Sequence, residues 1–212
     1  EKFYNKKIIP SSWIRMKLKY VMTISENISN NPKNEKILSL TRDGIKIRSI
    51  DSNQGQIAES YDKYILVNEK DICMNPMDLL SGWVDISSYR GLISPAYYTI
   101  QVNKNFDVDF IKFFLQSNFY RKNFFTLGKG VASHDNFGRW SLPISEFNNI
   151  VIYLPESKKE KKLISSYIDD EIRKINKLIQ QVEKKKSFLN EYFETFIYNI
   201  VTKGIKKDEK VK

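Results

Sequence analysis

From Ser157 to Asn199 the chain runs without a glycine or a proline, and its apolar residues recur at alternating steps of three and four. That spacing keeps side chains on one face of a helix, so the stretch reads as one long helix with an apolar stripe. With Ile172, Ile179, Lys186, Phe193 and Ile200 as the a positions of a heptad, Ile168, Ile175, Val182, Leu189 and Phe196 fall at d. Only Lys186 breaks the pattern, either fixing register or snorkelling at the edge of the stripe. At 1.5 Å per residue the helix spans about 60 Å, more than a small domain can bury. The seam Ile168, Ile172, Ile175, Ile179, Val182, Leu189 and Phe193 therefore calls for a partner helix, in the same polypeptide or in a second copy. A helix folded back along its own domain is the plainer alternative. Ser157 followed by Glu160 has capping-box spacing, and Gly204 marks the stop.

Ahead of Pro155 the pattern changes. Ile37 to Leu40, Gly44 to Ile50, Tyr64 to Val67, Tyr97 to Val102 and Ile150 to Leu154 are short, rich in Ile, Val and Tyr, and bounded by turn formers, which predicts strands. Between the last two, Val108 to Leu127 places Phe110, Ile111, Phe113, Phe114, Leu115 and Phe119 at spacings that suit one or two helices with a buried aromatic face. The expected fold is α+β: a mixed strand and helix domain over 1–155, a long coiled-coil-forming helix over 156–202, and a basic tail over 203–212. A chain of 212 residues has room for one such domain and an appendage. Its 41% apolar and 28% charged residues exclude a disordered or membrane-embedded class. The single cysteine, Cys73, excludes an intrachain disulfide, and neither a signal peptide nor a long apolar span is visible, so a cytoplasmic protein is expected. The chain opens on Glu1 rather than Met, which leaves room for a longer parent.

Thirty-five Lys and Arg against 25 Asp and Glu give a net charge of +10, which favours a polyanionic partner through counterion release. In a Lys- and Asn-rich chain the same excess also arises from compositional bias. Base edges want Arg, Lys, Asn, Gln, Ser or Asp on exposed loops, and phosphates want Lys, Arg and backbone amides. The segment Gly128 to Trp140 best fits that need, with Lys129, Ser133, His134, Asp135, Asn136 and Arg139 between glycines. Arg42 to Arg48, with Lys46 on an expected strand, is a second candidate, for phosphate contacts to DNA, and Tyr89 with Arg90 a third. An ordinary solvated surface is the competing account of all three.

Catalytic constellations fail on inspection. Asn31-Pro32-Lys33 and Asn75-Pro76-Met77 lack the second proline and the aromatic of an amino-methylating motif, and no glycine-rich phosphate loop is present. Ser133, His134 and Asp135 are consecutive, hence badly placed to converge as a triad, and the sole His134 with the sole Cys73 is too little for a zinc site. Glu160 and Lys162 mimic the end of a nuclease motif with Asp135 upstream, but at a helix start rather than on a strand.

Several segments in order resemble the specificity subunits of Type I restriction-modification systems. Ile9, Pro10, Trp13, Leu18, Lys19 and Tyr20 are similar to that family's opening segment. Asp71, Asn75, Gly82, Gly91, Ser94, Pro95 and Tyr97 or Tyr98 resemble its recognition-domain pattern. The run from Phe147 to Ile179 resembles its strand, proline turn and long helix, followed by Val201 to Ile205. One departure is the Leu154, Pro155, Glu160 and Lys161 found where the family usually has Pro-Pro and then Glu-Gln.

The resemblance implies a target-recognition domain that catalyses nothing itself, followed by a helix that spaces two such domains. Full subunits of that family carry two units in tandem with antiparallel helices; this chain has one, so it implies a homodimer or half of a tandem protein. It implies double-stranded DNA, methyltransferase subunits and restriction (translocase) subunits as partners, no membrane, and no cofactor bound by this chain. S-adenosylmethionine, ATP and Mg²⁺ belong to the partner subunits. Two other classes compete: a coiled-coil adaptor without specific DNA binding, and an RNA-binding accessory protein using aromatic stacking.

Overall fold

The computed structural model describes residues 9–48, 60–81, 83–130 and 140–204. The chain divides into two compact units, Glu1–Ser165 and Ser166–Lys212. In chain order the elements are β1 (Trp13–Lys17), β2 (Met22–Ser25), β3 (Leu38–Thr41), β4 (Gly44–Ile47), β5 (Ile65–Val67), β6 (Ile72–Met74) and β7 (Val84–Ile86). They continue with β8 (Gly91–Ile93), β9 (Tyr98–Val102), α1 (Val108–Gln116), α2 (Asn118–Leu127), α3 (Ile144–Asn149), β10 (Val151–Pro155) and α4 (Lys158–Lys203).

The centre of the first unit is a four-stranded antiparallel sheet in the order β2-β9-β6-β7, accompanied by the ladders β1-β10, β3-β4 and β5-β8. Side chains alternate across a strand, and here both faces of the sheet are covered. Ile72, Met74 and Ile100 join the larger core with Phe110, Ile111, Phe114, Leu115 and Phe124 of the helices. Cys73, pointing the other way, joins Leu38, Leu40, Ile45, Val67 and Ile93 in a second core. A strand covered on both faces loses its polar alternation, and β6, β7 and β8 have only three residues each. The sequence pattern predicts none of these three, nor β1 and β2, although it finds β3, β4, β5, β9 and β10 to within a residue at most described ends. Ser49 and Ile50 of the expected second strand lie outside the described residues.

The aromatic segment forms two helices. Asp107 caps α1, its Oδ1 accepting from Phe110 N at 2.8 Å. Ser117 ends α1 and caps α2, its Oγ accepting from Tyr120 N at 3.4 Å. Phe110, Ile111, Phe114 and Leu115 are buried as expected and Phe113 is half-buried. Phe119 corrects the expectation: on the first turn of α2 it stands 39% exposed, because that helix turns Tyr120 and Phe124 inward instead.

The first two turns of α4 belong to the first unit. Ser157 Oγ accepts from Glu160 N at 3.4 Å, one half of the expected capping box. The other half is diverted, since the Glu160 carboxylate accepts from the Trp13 indole N–H at 3.2 Å. Ser165 Oγ donates to Asp107 Oδ1 at 2.8 Å, the same oxygen that caps α1. Lys161 is 4% exposed, with Nζ 5.0 Å from the Phe106 ring centre. Burial holds its ammonium below the usual lysine pKa against the pull of Asp107 and Glu156. Carried back one heptad, the stripe thus begins with Lys161 and Ser165 before turning apolar at Ile168. In the second unit Ile172 is 39% exposed, Ile175 53%, Ile179 49%, Val182 64%, Leu189 62% and Phe193 59%, so the stripe stands in solvent. Gly204, at φ +69°, follows the last helical turn.

Asp71 is buried in the turn before β6, where its Oδ2 accepts from Asn68 N at 2.9 Å. Burial pushes its carboxyl above the ordinary 3.8, against the lowering effect of donors from Asn68 and Gln101. Between 3.8 and the higher folded value the native state holds more protons than the unfolded one, so stability falls as pH rises through that window. Asp71→Asn keeps an acceptor for Asn68 N and removes the charge. It should match the parent at pH below the unfolded value and exceed it in stability above the folded one. Urea unfolding across an acid-to-neutral series checks this; parallel curves for the two proteins would reject a charge penalty.

Candidate nucleic-acid interface

The basic residues singled out in the sequence fall into three places. Arg42 is exposed in the turn between β3 and β4, and Lys46 is exposed on β4, where its ammonium lies 2.8 Å from Asp43 and holds that carboxyl below its usual range. Arg48 follows β4, half-buried, its N–H donating to Ile37 O at 2.8 Å. Tyr89 is 37% exposed in the turn before β8, where Ser87 Oγ donates to its carbonyl at 2.7 Å. Arg90 next to it has its fork filled: Nε and Nη2 reach Glu35 Oε1 at 3.3 and 3.0 Å, and Nη1 reaches Asn68 Oδ1 at 3.0 Å. The segment Glu35–Ile37 thus stands between Arg48 and Arg90 and brings those two regions together.

Lys129 is placed apart from them. It is exposed, pairs with Glu146 at 2.8 Å, and exchanges both backbone hydrogen bonds with Ser141 at 2.8 and 3.0 Å. Trp140 closes the same neck, its indole N–H donating to Phe125 O at 3.2 Å and its ring 5.5 Å from Phe125. Gly128 allows this, because a Cβ there would lie 2.3 Å from Trp140 Nε1. Ser133, His134, Asp135, Asn136 and Arg139, the heart of the favoured segment, lie outside the described residues. Exposed ion pairs such as Lys46 with Asp43 and Lys129 with Glu146 are worth about 0–1 kcal/mol, so a phosphate can displace the carboxylate at little cost.

The motif residues turn out to build the scaffold. Trp13 ties β1 to α4 through Glu160. Asn75 Oδ1 accepts from Met77 N and Asp78 N at 3.0 and 3.3 Å, and Ser94 O accepts from Tyr97 N at 3.0 Å. The Tyr98 hydroxyl donates to Leu142 O. These residues shape turns, which explains why their pattern is recognisable.

The sequence reading overlooked an aromatic cluster. Tyr61 and Tyr64 meet edge to face, ring centres 5.0 Å apart at 88°. Trp83 and Tyr97 pack half-buried on the rim of the second core. A pair of tyrosines three apart is the only local signal, and it is a weak one. As for chemistry, Cys73 is buried and its thiol is pushed up to about 12, first by burial and then by Asp71 and Asp85, which leaves it no nucleophile. Among the described residues no group of three or more His, Cys, Asp or Glu could hold a metal ion, and no helix is long and apolar enough to cross a membrane.

No family model and no curated protein matches the chain. Solved structures do match it. A chain from a study of the complex assembly and conformational transition of the type I R-M system superposes with a TM-score of 0.66 at 12% identity, over 96% of this chain and 50% of that one. The HsdS subunit from Thermoanaerobacter tengcongensis gives 0.57 at 11% identity, over 95% and 48%. The Type-I restriction-modification system S subunit from M. genitalium gives 0.52 at 13%, over 90% and 46%. What is shared is the fold, across nearly all of this chain and about half the length of each of those. The expected α+β domain followed by a long helix is the arrangement observed.

Proposed function

We propose that this chain is one DNA-reading half of a Type I specificity subunit, recognising one half-site of a bipartite target in double-stranded DNA. The observation that carries the reading is the likeness of fold over 96% of the chain to 50% of a Type I system chain. The order of sequence segments noted above supports it independently, as does the +10 charge. The stripe Ile168 to Phe193, solvent-exposed from Ile172 on, suits a second such helix, from another copy or from the other half of a tandem protein. A two-fold pair would read inverted half-sites, with helix length setting the gap. On this reading the chain catalyses nothing and acts in the cytoplasm. Methyltransferase and restriction subunits gather on it and bring S-adenosylmethionine, ATP and Mg²⁺.

Light scattering of the chain alone, and then with a cognate methyltransferase subunit and duplex DNA carrying randomised half-sites, tests the reading. The expected result is a dimer that, with the methyltransferase, enriches an inverted and gapped sequence. Its affinity should fall with salt by about 0.9 log units per log unit for each phosphate neutralised. A monomer that recruits neither partner would withdraw the proposal for this chain alone and leave a fragment missing its tandem partner, or the adaptor reading, in its place.

A further inference from the structure

Two ladders of the first unit end at the same aromatic rim. Ile65 of β5 pairs with Ile93 of β8, so the turn that leads into β5, closed by Tyr64 N donating to Tyr61 O at 3.0 Å, adjoins the turn that leaves β8. That second turn is closed by Tyr97 N donating to Ser94 O at 3.0 Å. In the central sheet Met74 faces both Val84 and Tyr98, so one step further along Asn75 stands between Trp83 and Tyr97. Asn75 N donating to Trp83 O at 3.0 Å fixes that placement. Four aromatic side chains from three separate stretches of sequence are thereby held on one rim, each half-buried.

The geometry decides what such a rim can bind. Tyr61 and Tyr64 stand edge to face, so neither presents a free pair of faces between which a base could stack. What the tyrosines offer is their hydroxyls. Burial raises the Tyr64 pKa above its usual value, with Tyr61 and Tyr97 adding to the rise and the Arg48 charge opposing it, so its O–H remains a donor throughout the physiological range. Asp62, the carboxylate between the two tyrosines in sequence, is taken up by Ser60 Oγ at 2.7 Å. Phenol donors on the rim, with the Arg48 charge acting on Tyr64, match phosphate oxygens, and indole and phenol rings match the apolar faces of deoxyribose. Half-buried rings also lose little conformational freedom on binding.

We propose that Tyr61, Tyr64, Tyr97 and Trp83, with Arg48, form a contact surface for the sugar–phosphate backbone of duplex DNA, separate from the Gly128 to Trp140 segment. This rests on the DNA-reading function proposed above. It assigns the rim a positioning role, independent of base sequence, that sets how the unit sits on the duplex.

The test uses the full chain and a fluorescent random-sequence duplex, with binding read by anisotropy over a salt series. Tyr64→Phe and Tyr97→Phe keep the rings and remove the hydroxyls; each should weaken binding about fivefold at unchanged thermal stability. Arg48→Gln should reduce the salt slope by about one. Variants that bind with the parent's affinity and slope overturn the rim as a contact surface while leaving the DNA-reading function standing. So does an affinity loss that tracks a loss of thermal stability, which would assign the hydroxyls to folding. A parent chain with no duplex affinity at all overturns the DNA-reading function itself, and the rim proposal with it.

Discussion

On the proposed pairing of α4 with a second copy, Ile175→Glu combined with Ile179→Glu is expected to turn the dimer into monomer while the first unit keeps its melting temperature. The two side chains occupy neighbouring d and a positions and are 53% and 49% exposed in the single chain. Glutamate is a good helix former, so α4 itself tolerates the change. In a helix pair the same positions are buried. Loss of two isoleucines forfeits about 1.5–3 kcal/mol of burial each, before the cost of enclosing unpaired carboxylates is added. About 4 kcal/mol already corresponds to a roughly thousandfold weaker association. Sedimentation velocity across a dilution series reads the outcome directly, and a double variant that sediments like the parent dimer would remove this stripe as the seam.

Gly91→Ala should cost about 3 kcal/mol, lowering the melting temperature of the first unit by roughly 6–12 °C. A Cβ at that position would lie 2.4 Å from the carbonyl oxygen of Lys36 and 2.9 Å from Leu38 Cγ. The carbonyl cannot simply withdraw, because it accepts from Leu92 N at 2.7 Å and Ile37 bridges Leu92 beside it. Relief therefore requires parting β3 from β8, which would open the second core around Leu38 and Ile93. Gly204→Ala is the contrast: nothing lies within 4 Å and only the φ of +69° opposes a side chain. Its cost should be about 1 kcal/mol, confined to the end of α4. Thermal melts of both variants decide the matter; a Gly91→Ala protein that melts within a degree of the parent would show that the approach of the two strands relaxes.

These contrasts show which parts of the fold were legible in the residues. The helix α4 was plain because a stripe repeated over many turns has one structural meaning. Strands β6 and β8 were hidden because three residues buried on both faces carry no alternation, and β7 because the alternation of Val84, Asp85 and Ile86 is too short to stand out. The capping box at Ser157 was half right. Its glutamate is claimed by Trp13, 147 residues away in the chain, and no local spacing announces such a bond. The candidate site was less legible still. Arg90 reads as an available cation, yet its fork is filled by Glu35 and Asn68, one of them 55 residues distant. The aromatic rim exists only because two ladders end together, so no stretch of sequence contains it. Composition could suggest DNA, but which cations are spoken for is decided by tertiary contacts.

The pairing of β1 with β10 places Trp13 opposite Pro155 and Lys17 opposite Val151. The polypeptide therefore enters and leaves this fold through adjacent strands, like a drawer closed by a single seam. Everything between Leu18 and Ile150 forms an insert with one shared doorway. An exchange of genetic material at that doorway could replace the whole insert in one event and leave the helix beyond it unaltered. The incoming insert would have to satisfy one condition set by the root of α4: it must supply the equivalents of Phe106 and Asp107, which meet Lys161 and Ser165. The first unit could then change by wholesale substitution rather than by accumulated point changes, with the helix inherited intact.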